Sequence, residues 1–439
     1  MQTLIENATL VLPDRVIEGG WLLIEDERIL DLGEGATHPA GTDRALDART
    51  QFLLPGLIDL HCDAIEKLVE PRPNVHFAIQ HALAEADWRL AGCGITTEFH
   101  AISLDDNEFG VRSETFLQDL SQALLHMREE TLVRHKIHAR LELTSRKGSE
   151  AINHAIEQGI CDMISLMDHS PGQGQFRTEQ AFRDYVARTT NRGPEEIAPL
   201  LAMKRHQAVE IPKRIERITQ TAREKKLAIA THDDDSALKV EQWLAFGVAI
   251  SEFPTTLQAA RKAHDLGLAV CMGAPNVLRG KSSGGNLSAR EAIDVGVADV
   301  LCSDYYPAAL LRAVFLLAMQ KVLTLPQATR MVTLNPAQAA GLGKEYGSLE
   351  RGKIADIIQV KLSQQGLPAI QRLFVQGEQR LAVNSRRVSI HWGVPPFAPA
   401  EGSPLHSLSP AASGGKREER KYLGTPQTPP GGLAPWTPA

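Results

Sequence analysis

His61 and Asp63, with Cys62 between them, close the apolar stretch Phe52-Leu53-Leu54-Pro55-Gly56-Leu57-Ile58-Asp59-Leu60. Alternate residues of a strand share a face, so the spacing predicts that this imidazole and this carboxylate point the same way. Such a pair at the carboxyl end of a strand can begin a metal site, although a buried strand that simply ends in polar residues fits the same stretch. Further candidate ligands recur at the ends of apolar runs. Glu142 lies in Arg140-Leu141-Glu142-Leu143, and His169 follows Leu166-Met167-Asp168. His232 follows Ile229-Ala230-Thr231, and Asp304 follows Leu301-Cys302-Ser303. One histidine at a strand end is more often a hydrogen-bonded structural residue. Three histidines and three carboxylates brought to one place would leave buried charge that a divalent cation offsets. The mixture of imidazole nitrogen and carboxylate oxygen suits zinc, and also manganese or iron, better than calcium. Two ions sharing a bridging carboxylate would activate a water and polarise a substrate oxygen. Asp304, on the last run, could take and return the water's proton.

The elements that must position these groups alternate in type. Strand-like runs are expected at 52–60, 95–99, 138–143, 163–167, 227–231, 248–251, 268–272 and 300–303. Helical patterns separate most of them, for example at 79–90, 113–132, 194–225 and 307–323. About eight alternating units of this kind predict an α/β fold, a (β/α)8 TIM-type barrel, with a doubly wound open sheet as the second choice. Strand carboxyl ends in a barrel all face one mouth, which is where the candidate ligands would meet. Residues 1–50 and 344–385 instead read as short strands between turns. Neither end has strands enough for a stable sheet alone, so a small β-sandwich built from both chain ends is expected, with the barrel at 51–343. Residues 386–439 are rich in Pro, Gly and Ser around Lys416-Arg417-Glu418-Glu419-Arg420-Lys421 and read as a disordered tail.

Composition narrows the function classes. The chain has 439 residues, 43% hydrophobic and 23% charged, which is ordinary for a soluble enzyme with a large core. A net charge of -6 gives no reason to expect a nucleic-acid or anionic-membrane partner. No apolar run is long enough to span a bilayer, and the opening residues lack the basic flank and apolar core of a secretory leader. The five cysteines are scattered and form no Cys-x-x-Cys, which points to reduced thiols and a cytoplasmic location. A small molecule is the expected partner, and a homo-oligomer is compatible with all of this.

Pro55-Gly56-Leu57-Ile58-Asp59-Leu60-His61-Cys62-Asp63, a strand-end carboxylate, two further strand-end histidines, Ser303-Asp304 and the stretch from Gly347 to Val360 (GSLERGKIADIIQV) together resemble the amidohydrolase superfamily over residues 1–385. Most of that superfamily has His-x-His on the first strand, where Asp63 supplies the third position here. The superfamily's bridging lysine is also absent, and Glu142 is the candidate for its place. His169 and His232 fall on the fourth and fifth expected strands, where the superfamily uses the fifth and sixth.

Further motifs resemble one branch. They are DLHCDAIEK from Asp59 with Glu70-Pro71-Arg72-Pro73, MDHSPGQGQF from Met167, THDDDS from Thr231, GAPNVLRGKS from Gly273 and Ser303-Asp304-Tyr305-Tyr306-Pro307. That branch is the alpha-D-ribose 1-methylphosphonate 5-triphosphate diphosphatases of the carbon–phosphorus lyase pathway. The resemblance implies hydrolysis of the 5-triphosphate to the 5-phosphate with release of pyrophosphate. It implies that His61, Asp63, His169 and His232 bind divalent metal, that Glu142 bridges two ions, and that Asp304 binds metal and shuttles the proton. A triphosphate needs cations and donors, and Arg72, Arg279, Lys281 and Asn286 lie near the expected strand-end loops. The loop from Gly280 to Asn286 also offers backbone N–H groups suited to phosphate oxygens, although a solvated surface loop reads the same way. The branch favours a histidine where Ser283 stands.

The remaining polar residues are less directive. His76, His81, His100, His126, His135, His138 and His154 read as structural, and Lys204-Arg205-His206 as a solvated face. Glu66, Lys67 and the run Asp233-Asp234-Asp235 read as neighbours of ligands rather than ligands. Two other functions remain open: hydrolysis of a C–N bond in a cyclic amide, N-acyl amino acid or nucleobase, and a barrel that binds a phosphorylated ligand without turnover.

Overall fold

A computed structural model describes residues 1–35, 39, 41–104, 111–168, 178–190, 193–282 and 285–383. Eight parallel strands form one sheet in chain order: β1 Leu57–Cys62, β2 Ile95–Leu104, β3 Arg134–Glu142, β4 Met163–Met167, β5 Ala228–His232, β6 Ile250–Glu252, β7 Ala269–Gly273 and β8 Val300–Cys302. β1, β2 and β4 are buried along their whole length, as strands covered on both faces must be. Ile58, Leu60, Phe99, Met163, Ala230, Ile250, Cys271, Val300 and Cys302 pack inside the ring. At the mouth β8 returns to β1 through a bridge between Cys62 and Asp304. At the other end Met331 and Val332 lie in the seam, accepting hydrogen bonds from the N–H groups of Leu301 and Ile58. The barrel is therefore nearly closed, and closed where the candidate ligands are.

The second sheet joins the two chain ends. Its order is Glu378–Ala382, Pro368–Val375, Ile357–Leu362, Phe52–Pro55, Gln2–Val11, Val16–Glu25 and Arg28–Gly33, with Arg44–Asp47 also on Gln2–Val11. Ile5, Leu10, Leu22, Ile24, Leu53, Ile357 and Phe374 form its own buried cluster.

Several expectations about elements change. The run 52–60 is two strands in different sheets: Phe52–Pro55 pairs with Gln2–Val11 and Ile357–Leu362, and β1 starts at Leu57. Gly56 makes the passage, because a Cβ there would lie 2.2 Å from Thr96 Oγ1. The helix expected at 194–225 is Pro194–Gln207 and Ile211–Glu224 with a 3-10 turn, Ala208–Glu210, between them. Pro212 sits in the first turn of the second helix, where its missing N–H is tolerated. The helix expected at 113–132 is Glu114–Met127, started by Ser113, whose hydroxyl accepts the N–H of Phe116. Among the described residues no helix is long and apolar enough to cross a membrane. His169, Ser283 and the 386–439 tail lie outside the described residues.

Candidate metal centre at the barrel mouth

β1 delivers His61 and Asp63 by different means. Pairing with β2 is irregular between Asp59 and Cys62, so simple alternation does not govern the end of the strand. Asp63 lies beyond the strand, as the residue before the helix Ala64–Val69. It is placed by the seam: its N–H donates to the Asp304 carbonyl at 2.8 Å, and the Asp304 N–H donates to the His61 carbonyl at 2.9 Å. Asp304 has φ +61° and Asp233 has φ +57°. Both are left-handed conformations that cost a non-glycine residue energy and that concentrate at functional sites.

Three imidazoles gather below the mouth. The ring centroid of His61 lies 5.3 Å from that of His138 and 5.4 Å from that of His232, and Phe253 packs edge-on against His61 and His232. An acceptor fixes a nitrogen of His61 and of His138, and a carboxylate lies beside His232. His61 Nδ1 lies 3.2 Å from Glu252 Oε1. His138 Nδ1 lies 2.9 Å from the Leu60 carbonyl, which can only accept, so the proton is on Nδ1. His232 Nδ1 lies 3.2 Å from Asp233 Oδ2, while its Nε2 meets Arg140 Nη2 at 2.9 Å. An arginine can only donate, so His232 Nε2 carries the lone pair. Burial holds His61 well below the usual imidazole range and pushes His138 down to about 3, with Arg140 adding to both effects. Neutral imidazoles with one nitrogen held by an acceptor are the form in which histidine binds metal.

The carboxylates are crowded. Burial pushes Asp304 up to about 7, and the nearby charge of Asp63 adds to that. Glu142 ends β3, opposite Met167 of β4, and accepts the Thr144 hydroxyl at 3.1 Å. Arg112 donates through Nε to Glu66 Oε2 at 2.8 Å and lies 3.9 Å from Asp63 Oδ2. Asp234 is an internal hub that accepts from Thr231 Oγ1 at 2.6 Å, Ser251 Oγ at 2.7 Å and Trp243 Nε1 at 2.9 Å. The three-aspartate run thus divides its work: Asp233 faces His232 and Asp234 holds the local fold.

Two buried clusters among the described residues bring three potential ligand atoms within 4.8 Å of one another: His61, His138 and Glu252, and Asp59, Cys62 and Glu98. In the first, Glu252 Oε2 and His138 Nε2 are buried without a hydrogen-bond partner among the described residues. Orphaned acceptors beside neutral imidazoles and crowded carboxylates are what a divalent cation satisfies, so the residues present fit one. The second cluster has another explanation. Asp59 Oδ1 accepts the N–H of His61 at 3.3 Å and of Ser303 at 3.0 Å. Burial drives Glu98 well above the usual carboxyl range, and a neutral acid beside Asp59 needs no ion.

His61, His232, Asp63 and Asp304 therefore share the mouth, with Glu142 at the neighbouring strand end. Arg72 follows the helix after β1, and Arg279 ends the helix Ala274–Arg279 that begins directly after β7. Arg72, Arg279 and Lys281 are exposed and Asn286 is half-buried. His138, Arg140 and Glu252 were not expected as part of the site. By sequence His138 reads as structural, yet His138-Ala-Arg140-Leu-Glu142 is one alternating face of β3. Glu252 stands one residue past the expected end of its run.

Comparison with known proteins agrees with this architecture. Residues 52–385 match the model of the Amidohydrolase family. The chain is 35% identical over 367 residues to the alpha-D-ribose 1-methylphosphonate 5-triphosphate diphosphatase of Escherichia coli (strain K12), covering 81% of this chain and 94% of that protein. Among solved structures, A. niger ochratoxinase superposes with TM-score 0.60 at 15% identity over 87% of this chain and 96% of that one. N-acetylglucosamine-6-phosphate deacetylase from Pasteurella multocida superposes with TM-score 0.57 at 12% identity over 86% and 99%. At such identities these two likenesses concern the fold.

Proposed function

The chain belongs to the amidohydrolase family, and from that premise we propose that it is a metal-dependent hydrolase of a phosphoanhydride bond. Its substrate is alpha-D-ribose 1-methylphosphonate 5-triphosphate, cleaved to the 5-phosphate and pyrophosphate in phosphonate catabolism. The observation that carries this reading is the 35% identity to a diphosphatase of that name over nearly its whole length. The mouth chemistry supports it.

In this reading His61, Asp63, His169, His232 and Asp304 would hold the divalent metal and Glu142 would supply a further carboxylate ligand, with zinc favoured over manganese or iron. A bound divalent ion supplies the positive charge that polarises a phosphoryl oxygen and acidifies the attacking water. Glu252 engages His61 Nδ1 and leaves Nε2 for the metal, and the Asp233 carboxylate lies 3.2 Å from His232 Nδ1. Asp304, its carboxyl near 7, accepts the proton of the attacking water and returns it to the leaving pyrophosphate. Arg72, Arg279, Lys281 and Asn286 offset the charge of the triphosphate from the loops beyond β1 and β7. The five cysteines form no disulfide, in keeping with a cytoplasmic enzyme.

The test is to supply the purified, metal-loaded protein with the ribosyl triphosphate and follow products by phosphorus NMR. Pyrophosphate and the 5-phosphate should appear in equal amounts, and a chelator should stop their release. Hydrolysis of a cyclic amide or N-acyl amino acid with no pyrophosphate release would overturn the assignment.

A further inference from the structure

Arg140 stands between His138 and Glu142 on the inward face of β3 and is 7% exposed. Its guanidinium stays charged at any physiological pH. Its charge reaches His61, His138, Glu66 and Asp304, yet it forms no ion pair of its own among the described residues. Nη2 donates to His232 Nε2 at 2.9 Å, and Nε is buried without a hydrogen-bond partner among the described residues. A buried cation hydrogen-bonded to an imidazole, with Glu66 and Asp304 near enough to feel its charge but in no ion pair with it, is only partly compensated, which is costly to maintain for packing alone. A buried guanidinium that is only partly paired is suited to recognising an anionic ligand.

The same bond creates a competition. His232 Nε2 has one lone pair, and a guanidinium N–H and a divalent cation cannot both use it. We propose that Arg140 is an anchor for the anionic oxygens of the substrate, parked on His232 and released to them when a divalent cation takes that nitrogen. Once released, the planar fork offers Nε and Nη donors in the geometry that matches two phosphoryl oxygens. The site thus keeps its own cation until the metal arrives, then turns it toward the ligand. The identity of the anion as a phosphoanhydride rests on the function proposed above; the exchange between metal and guanidinium does not.

The experiment uses the full chain with Arg140→Met, similar in length and uncharged, and Arg140→Lys, which keeps the charge without the fork. Zinc affinity is measured by competition with a chelator, and affinity of the zinc-loaded protein for inorganic pyrophosphate by calorimetry. The methionine variant should bind zinc about tenfold more tightly and pyrophosphate about tenfold more weakly. The lysine variant should lie near wild type for zinc and between the two for pyrophosphate. A purely structural role would weaken both affinities of the methionine variant together, which overturns the proposal, as does a zinc affinity that does not rise. Neither readout depends on turnover of the ribosyl triphosphate, so failure of that reaction and failure of this proposal are separable. If the methionine variant does not fold, the lysine variant decides: unchanged pyrophosphate affinity there overturns the anchor.

Discussion

His61 Nδ1 and Glu252 Oε1 lie 3.2 Å apart, both side chains fully buried, although 191 positions separate them in the chain. The contact joins the ends of β1 and β6 across the barrel interior. It occupies Nδ1, so Nε2 is the nitrogen of His61 left to bind a metal. Glu252→Ala should therefore lower metal affinity by about 10–100-fold, the usual effect of removing a carboxylate behind a metal-binding histidine. Glu252→Gln, which still offers an acceptor, should lose less. Chelator competition measures both, and equal affinity in wild type and the alanine variant would contradict the orienting role.

Asp304 gives a pH signature in chelator-treated protein. Its carboxyl rises from 3.8 to about 7 on folding, so the folded state favours the protonated form. Below about pH 4 both states are protonated and nothing is lost. Between about pH 4 and 7 the folded state holds a proton that the unfolded state has released, so stability falls as pH rises, by at most about 4 kcal/mol. Asp304→Asn should flatten that decline, gaining on wild type at pH 8 and losing the advantage near pH 4, while abolishing turnover. Thermal melts of both proteins across this range test it, and parallel curves would exclude Asp304 as the source.

Asp234 is a structural prediction in a row of polar residues. Asp234→Ala leaves two buried hydroxyls and the Trp243 N–H without their acceptor and should cost on the order of 3 kcal/mol. Asp234→Asn should cost less, since its amide oxygen can keep part of the set. Urea unfolding distinguishes the two, and equal losses would show that the hub tolerates any replacement.

Gly56 is the point where the chain leaves the end-to-end sheet for the barrel. Gly56→Ala forces a methyl against Thr96 and should destabilise by about 1–3 kcal/mol. Adding Thr96→Ser, which deletes the Cγ2 that a Cβ at Gly56 would meet at 2.4 Å, should recover part of the loss. A double variant no more stable than Gly56→Ala would place the strain elsewhere.

The alternation of apolar runs and helical patterns was legible along the chain because parallel strands covered on both faces must be apolar throughout. The strand-end positions of His61, Glu142, His232 and Asp304 were legible for the same reason: a polar residue ending such a run is conspicuous. The pairing of both chain ends followed from neither having strands enough alone. What sequence could not supply was which polar residues meet across the barrel. Glu252 becomes a partner of His61, and Arg140 of His232, only when β1, β3, β5 and β6 curve round to face one another. Asp63 likewise owes its place to backbone bonds with Asp304 at the seam, and not to strand alternation. Local spacing determines the residues that end each strand, because side-chain period belongs to the strand itself. Closure of the ring alone decides which of them touch, because those contacts join residues far apart in the chain.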